Sequence, residues 1–172
     1  MRLISNCVYS APVNINEQAD STLVMGGNVA IDLSQFLPYQ LTNLATLLST
    51  RFAQTYEQKY QLSIPQWRII ANLAQYGQST GKGLCVQANM DKSTVSRAIK
   101  KLSERQLIVA SSNEKDKRAS YWQLSEQGAA LYQRIVPEAL EWEQALLSVL
   151  NNDEYTQLIV TIEKLTKQLQ RA

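Results

Sequence analysis

Apolar residues recur at intervals of three and four along most of the chain, which predicts a mainly helical protein. One such helix covers residues 33–60. A second begins near Ser63, a residue suited to the N-cap, and has Pro65 in its first turn. Residues 77–83 are rich in glycine and predict a loop. A short apolar helix over residues 84–90 follows this loop.

The segment 91–107 is the most sharply amphipathic part of the chain. On a helix its apolar residues share one face about 100° wide, and they are Val95, Ala98, Ile99 and Leu102. The opposite face is polar and basic, with Ser93, Thr94, Arg97, Lys100 and Lys101. Asp91 stands just before the first turn, where its carboxylate can accept free backbone N–H groups.

A hairpin is predicted next, with strands over residues 107–111 and 119–124 around a charged stretch. Helices beginning at Ser125 and Asp153 complete the chain. A short helix, a turn and a helix with a polar outer face form a helix-turn-helix, and a hairpin directly after it makes a winged helix. We therefore expect a mainly α fold with a small β wing. Residues 1–31 show no sustained period and are expected to form a flexible arm.

The composition is that of an ordinary globular domain, with 172 residues of which 45% are hydrophobic and 19% charged. The apolar runs are too short to cross a membrane. Ser5 and Asn6 interrupt the N-terminal apolar patch that a signal peptide would need. Two cysteines, Cys7 and Cys85, do not make a disulfide framework. These features indicate a cytoplasmic protein with no membrane partner.

Charge is distributed unevenly along the chain. The net charge is only +2, but residues 82–118 hold nine Lys or Arg against four Asp or Glu. That stretch carries +5, and the rest carries −3 from eight basic and eleven acidic residues. A cationic centre indicates a polyanionic partner such as double-stranded DNA. The alternative is a solvated surface that happens to be basic.

Residue types that carry catalysis or hold a metal are scarce. The chain has no histidine, which removes most zinc sites and nearly all His-based catalysis. Three glycines surround Lys82, but the pattern lacks the Gly-Lys-Ser/Thr of a phosphate-binding P-loop. We expect neither an enzyme nor a cofactor.

In a helix-turn-helix, the second helix enters the major groove with its N-terminal residues at the base edges. The predicted base contacts are therefore Lys92, Ser93, Thr94, Ser96 and Arg97. Basic residues further along the helix and at the hairpin tip are assigned to phosphates, and they are Lys100, Lys101, Arg105, Lys115 and Lys117. For Arg97 the alternative is a surface ion pair with Glu104 or Asp91.

The chain also resembles the MarR family of bacterial transcriptional regulators, from about Leu33 to Leu169. The resemblance rests on Phe36-Leu-Pro-Tyr39, Ile64-Pro-Gln-Trp67, Asp91-Lys-Ser-Thr-Val-Ser-Arg97, Asp116-Lys-Arg118 and Leu124-Ser-Glu-Gln-Gly128. It implies a winged-helix domain over residues 32–172, with a DNA-binding lobe at about 62–124. It also implies dimerisation helices at about 33–60 and 126–170, and a homodimer acting on a pseudo-palindromic operator, most often as a repressor.

The many apolar positions of the last two helices agree with a homodimer, because a single lobe offers them no third partner. The resemblance further implies that the wing residue Arg118 reaches the minor groove. Asp116 would then orient Arg118 or another basic side chain, although a turn-forming role is the alternative.

Many members of this family respond to a small aromatic or phenolic effector. Tyr39, Thr42, Trp67 and Ile70 can line such a pocket, but aromatic and apolar residues at helical spacing usually belong to a core. Some members sense peroxide through a cysteine at the start of the first helix. Here that region reads Phe36-Leu-Pro-Tyr39, so Cys85 is interpreted as a small core residue. An alternative for the whole chain is a winged-helix dimer that serves as a protein-interaction module without operator binding.

Overall fold

The computed structural model describes residues 22–25, 28–113 and 116–171. Its elements in chain order are β1 (Thr22–Met25), β2 (Asn28–Ile31), α1 (Leu37–Tyr60), α2 (Ile64–Tyr76), β3 (Ser79–Thr80), α3 (Gly81–Gln87), α4 (Lys92–Glu104), β4 (Ile108–Asn113), β5 (Asp116–Leu124), α5 (Glu126–Leu147) and α6 (Asn152–Leu169). The predicted order of four helices, a hairpin and two helices is confirmed, and so is the mainly α fold with a β wing. Within the described ranges no helix is both long and apolar enough to span a bilayer.

The chain divides into two units, Met1–Leu48 and Ser49–Ala172. In the first unit, β1 and β2 form an antiparallel hairpin in which Thr22 pairs with Ile31 and Met25 with Asn28. The expected arm over residues 1–31 therefore includes these two strands, its flexibility stays a prediction, and residues 1–21 lie outside the described part. Two short apolar runs flank Gly26-Gly27, a pair typical of two-residue hairpin connections. Runs this short carry too few positions to show a period.

The second unit holds one hydrophobic core, built where the apolar stripes of α1, α2, α4 and α5 meet. Its largest fully buried side chains are Tyr56, Leu62, Ile69, Ile70, Leu84, Val95, Leu102, Ile108 and Ile135. Five aromatic rings extend this core along its edge through contacts of 5.0–6.0 Å between centroids, and they are Phe52, Tyr56, Trp67, Tyr132 and Trp142. The core holds α4 by one side and leaves the other side exposed.

The three-stranded sheet of the second unit has the order β3-β5-β4, with all pairs antiparallel. Strand β3 lies in the stretch that was predicted as a loop. Its two residues pair with Trp122 and Tyr121 along the free edge of β5. A two-residue strand has no period of its own, and α3 begins directly after it, capped by Thr80, whose Oγ1 accepts the Gly83 N–H at 3.0 Å. The prediction of a loop over residues 77–83 is therefore wrong for residues 79–83, which form β3 and the start of α3.

Helix α5 is joined to the end of the α4–β4 connection by a close backbone contact. The Ser125 N–H donates to the Leu107 carbonyl at 3.1 Å, and the Ser125 hydroxyl donates to the Gln106 carbonyl at 2.6 Å. Ser125 also caps α5 by accepting the Gly128 N–H at 3.0 Å. A Cβ on Gly128 would overlap the Leu107 carbonyl oxygen. Gly128 is therefore required by the closeness of the two backbones.

Substituting Gly128 by Ala should lower the free energy of unfolding by about 1–3 kcal/mol, because two backbone segments must separate to admit the methyl group. Gly81→Ala is the matched control, since a Cβ there meets only the Ile99 Cδ1 atom at 4.0 Å. Urea unfolding followed by circular dichroism measures both variants. Equal stability of the two variants would show that the Gly128 and Leu107 backbones can separate at no cost in free energy.

Candidate nucleic-acid interface

Helix α4 presents a polar face that the core leaves free. Val95, Ala98, Ile99 and Leu102 are buried beneath it, as the amphipathic pattern predicted. The exposed residues along its outer face are Lys92, Ser93, Ser96, Arg97, Lys100 and Lys101, with Thr94 half-buried among them. The helix thus gathers all five predicted base contacts and two predicted phosphate contacts on one surface.

Asp91 is the N-cap of α4 and organises its first turn. The Asp91 Oδ1 atom accepts the Thr94 N–H at 2.9 Å and the Ser93 hydroxyl at 2.6 Å, while Oδ2 accepts the Thr94 hydroxyl at 2.7 Å. The hydrogen bonds from Ser93 and Thr94 hold the pKa of the Asp91 carboxyl well below its usual range. Its stabilising effect is present above the unfolded pKa of about 3.9 and is lost only as the pH falls below that value.

Arg97 has its guanidinium on the exposed face, near the same first turn. Its Nε donates to the Ser93 carbonyl at 3.3 Å, and its Nη2 lies 3.5 Å from the Thr94 hydroxyl oxygen. Among the described residues no carboxylate lies within ion-pair distance of Arg97, so neither proposed ion pair is found there. The guanidinium therefore keeps N–H groups for a partner outside the chain.

Lys100 lies 4.0 Å from Glu104, and both side chains are largely exposed. An exposed pair at that distance contributes little and is easily exchanged for a phosphate. Lys101 is exposed beside it.

Arg105 has a position that its assignment to phosphates did not anticipate. Its Nη1 donates to the Gln61 carbonyl at 2.6 Å and its Nη2 to the Tyr60 carbonyl at 2.9 Å. These carbonyls close α1, so the cation lies at the negative end of that helix and joins it to the end of α4. The two bonds use two of the five guanidinium N–H groups. A phosphate contact by Arg105 stays a prediction beside this structural role.

Two concavities flank the polar face of α4. One, of about 750 Å³, lies between α3, α4 and β5 and is lined by Thr80, Gly81, Lys82, Cys85, Lys92, Val95, Ser96, Ile99, Ser120 and Trp122. The other, of about 400 Å³, lies between α4 and the start of α2 and is lined by Ser63, Pro65, Gln66, Thr94, Arg97, Ala98, Lys100, Lys101 and Glu104. Sequence reasoning missed Lys82 and Ser120 as members of this surface. The basic character of residues 82–118 could have indicated the first but not the second.

The wing is formed by β4 and β5, with Asn113 paired with Asp116 at its described tip. Asp116, Lys117 and Arg118 are the first residues of β5, which places their backbone at the far end of the hairpin. Lys115 lies outside the described residues. The minor-groove roles of Asp116 and Arg118 and the phosphate roles of Lys115 and Lys117 therefore stay predictions.

The four predicted effector-pocket residues fall in different units. Tyr39 and Thr42 are exposed residues of the first unit. In the second unit, Ile70 is fully buried in the core, and Trp67 is half-buried and stacks on Tyr132 at 6.0 Å between centroids. Burial of Ile70 favours the core alternative for that residue. Trp67 also lines a small cavity of about 240 Å³, together with Phe52, Ala139, Leu140, Trp142 and Glu143.

Cys85 is half-buried and packs against the core, in agreement with its interpretation as a small core residue. Cys7 lies outside the described residues. Within the part of the chain that the structure describes, no group of three or more Cys, Asp or Glu is placed to hold a metal ion.

Comparison with known proteins relates this surface to one family. The model of the MarR family matches residues 60–119, which run from the end of α1 into the wing. The HTH-type transcriptional regulator PecS of Dickeya dadantii (strain 3937) is 28% identical over 142 residues, covering 81% of this chain and 86% of that protein.

Solved structures show the same fold. The MarR/EmrR family transcriptional regulator of Acinetobacter sp. ADP1 is 29% identical with a TM-score of 0.74, covering 83% of this chain and 100% of that one. Bordetella bronchiseptica BpsR, described with a mechanism for regulation of its DNA binding by 6-hydroxynicotinic acid, is 23% identical with a TM-score of 0.62. That match covers 74% of this chain and 98% of BpsR.

Replacing Arg105 by Ala should lower the free energy of unfolding by about 1.5–3 kcal/mol without DNA present, because two charge-assisted hydrogen bonds are lost. Lys101→Ala, which removes an exposed cation from the same helix, should change it by less than about 0.5 kcal/mol. Urea unfolding of both variants measures the difference. Unchanged stability of the Arg105 variant, with weakened DNA binding, would instead assign this residue to phosphate alone.

Proposed function

We propose that this chain is a MarR-family transcriptional regulator that acts as a homodimeric, ligand-responsive repressor on a pseudo-palindromic DNA operator. The family and the relatives named above are transcriptional regulators, not enzymes. The observation that carries the proposal is the polar face of α4, where every predicted base contact is exposed or half-buried over a firmly packed apolar face.

The dimensions of α4 and its flanks suit a duplex. A helix with its side chains is about 10–12 Å across, and the major groove is about 12 Å wide. With α4 in the groove, the two sugar-phosphate strands that border it run on either side of the helix. The concavities on the two flanks offer these strands Lys82 on one side and Lys100 and Lys101 on the other.

Homodimer formation is supported by the apolar surface of the last two helices. Helix α6 has no buried residue, although its apolar side chains, apart from Val160, share one face. The large apolar residues exposed on α5, on α6 and between them are Leu140, Leu146, Val149, Tyr155, Leu158, Ile159, Val160, Ile162, Leu165 and Leu169. A surface of this size in water is unfavourable, and a second copy related by two-fold symmetry covers it. The same symmetry would set two α4 helices about 34 Å apart, one turn of DNA.

An effector site for a small aromatic or phenolic molecule is proposed at the edge of the core. The cavity beside Trp67 is walled by Phe52 and Trp142, whose ring centroids lie 5.2 Å apart. Its volume of about 240 Å³ suits a single aromatic ring. BpsR, whose DNA binding is regulated by 6-hydroxynicotinic acid, shares the fold. The effector roles predicted for Tyr39 and Thr42, which belong to the first unit, stay predictions.

The alternative function is a protein-interaction module that has lost operator binding. Such a module has no need for an ordered polar face on α4. Asp91, Ser93, Thr94 and Arg97 form a hydrogen-bonded first turn there, and the guanidinium keeps further N–H groups for an outside partner. This arrangement favours DNA binding over the alternative.

The roles of Arg97 and Lys101 are tested by paired alanine variants. Arg97→Ala should cost about 1–3 kcal/mol on the operator and little on random DNA, because a guanidinium can bond bidentately to guanine. Lys101→Ala should weaken both DNAs alike and reduce the salt slope by about one. Fluorescence anisotropy over a range of salt concentrations measures both. Identical behaviour of the two variants on both DNAs would contradict the assignment.

The dimer surface is tested on α6. Ile162→Glu should raise the dimer dissociation constant about 100-fold or more, because two-fold symmetry buries two unpaired carboxylates. Gln157→Glu adds the same charge to the polar side of α6 and should leave dimerisation nearly unchanged. Sedimentation velocity measures both variants. A dimer that tolerates Ile162→Glu would place the interface elsewhere.

A further inference from the structure

The hydroxyl groups of Ser93 and Thr94 both donate their protons to the Asp91 carboxylate. Each hydroxyl has one proton to give, and a carboxylate can only accept. With O–O distances of 2.6 Å and 2.7 Å to Asp91, both protons point at the carboxylate oxygens. Only the lone pairs of the two hydroxyl oxygens are left for any other partner.

We propose that Asp91 is a specificity-determining residue, which fixes Ser93 and Thr94 as hydrogen-bond acceptors toward the DNA bases. The inference rests on the proposed DNA-binding function and deepens it. Free Ser and Thr hydroxyls rotate and pair with either donors or acceptors, so they read sequence poorly. When Asp91 holds their protons, the same two hydroxyls can only accept, so they distinguish bases that present donors from bases that present acceptors.

The bases that suit this arrangement follow from the pattern of the major groove. Adenine N6 and cytosine N4 present amino donors there, whereas guanine O6 and N7 and thymine O4 present acceptors. Ser93 and Thr94 therefore select adenine or cytosine on the strand that they face. Phosphate oxygens carry no proton, so these two hydroxyls are poor phosphate contacts. Arg97, which only donates, reads the complementary acceptors from the same turn.

The network is stable under the conditions in which DNA is bound. Asp91 lies at the start of α4, where the backbone N–H of Thr94 and the helix dipole favour a negative charge. The bonds from Ser93 and Thr94 keep the pKa of its carboxyl low, so the group is an acceptor at neutral pH. The Arg97 Nη2 lies 3.5 Å from the Thr94 oxygen, a long contact that a base amino group can replace.

Asp91→Asn is the test variant, because Asn caps a helix as well as Asp does. Its single amide oxygen is needed by the Thr94 N–H, so the NH2 group takes the place of Oδ2. That group donates to the Thr94 hydroxyl, whose proton is then free to point at the DNA. The preference for adenine or cytosine over guanine or thymine opposite Thr94 should fall about tenfold. The position opposite Ser93 should change less.

Sequencing of the DNA bound from a random pool measures this preference for the wild type and the variants. Thr94→Val identifies the base opposite Thr94, since it removes the hydroxyl and keeps the shape. Glu104→Gln is the matched control, because it removes one negative charge from α4 without touching either hydroxyl. An Asp91→Asn profile equal to the wild-type profile would overturn the proposal. So would an equal shift in Glu104→Gln, because charge alone would then explain it.

Failure of the proposed function gives a different result. In that case the wild type itself enriches no sequence from the pool. The hydrogen-bond network is then tested without DNA, by following the side-chain carboxyl carbon of Asp91 by NMR during acid titration. A carboxyl that stays ionised well below the usual aspartate range supports the fixed hydroxyls, whereas titration in the usual range overturns them.

Discussion

The burial of one side of α4 is the constraint on which the rest of the second unit depends. Val95, Ala98, Ile99 and Leu102 lock the helix into the core, so its rotation about its own axis is fixed. A fixed rotation is what turns a set of polar side chains into a surface with a defined pattern of donors and acceptors. A rotation of one residue, about 100°, would exchange that pattern for apolar groups.

The C-terminal end of α4 is held in place by contacts with α1 and α5. Arg105 binds the carbonyls that end α1, and the Leu107 carbonyl receives the first turn of α5 against Gly128. Helices α1 and α5 are joined directly by Glu138, which accepts hydrogen bonds from Lys59 and Tyr60, each at 2.6 Å. Because α5 also carries part of the exposed apolar surface, these contacts connect the proposed dimer surface to the end of α4.

The parts of the structure that were predictable share a local cause. The helix period alone exposes the polar face of α4, and the Ser125 cap and Gly128 lie three residues apart. The parts that were missed depend on long-range pairing. Strand β3 exists because β5 offers it an edge 41 to 43 residues later in the chain, where Thr80 pairs with Tyr121 and Ser79 with Trp122. The role of Arg105 depends on carbonyls 44 and 45 residues away, which no spacing of residue types reveals.

In the proposed dimer, two copies of α4 read two half-sites on one face of a duplex. Hydroxyl-radical footprinting of the wild-type protein on a selected operator tests it most directly. We predict two protected groups of nucleotides whose centres lie about 10–10.5 base pairs apart, one helical turn. A single protected group, or uniform protection that vanishes with modest salt, would contradict it.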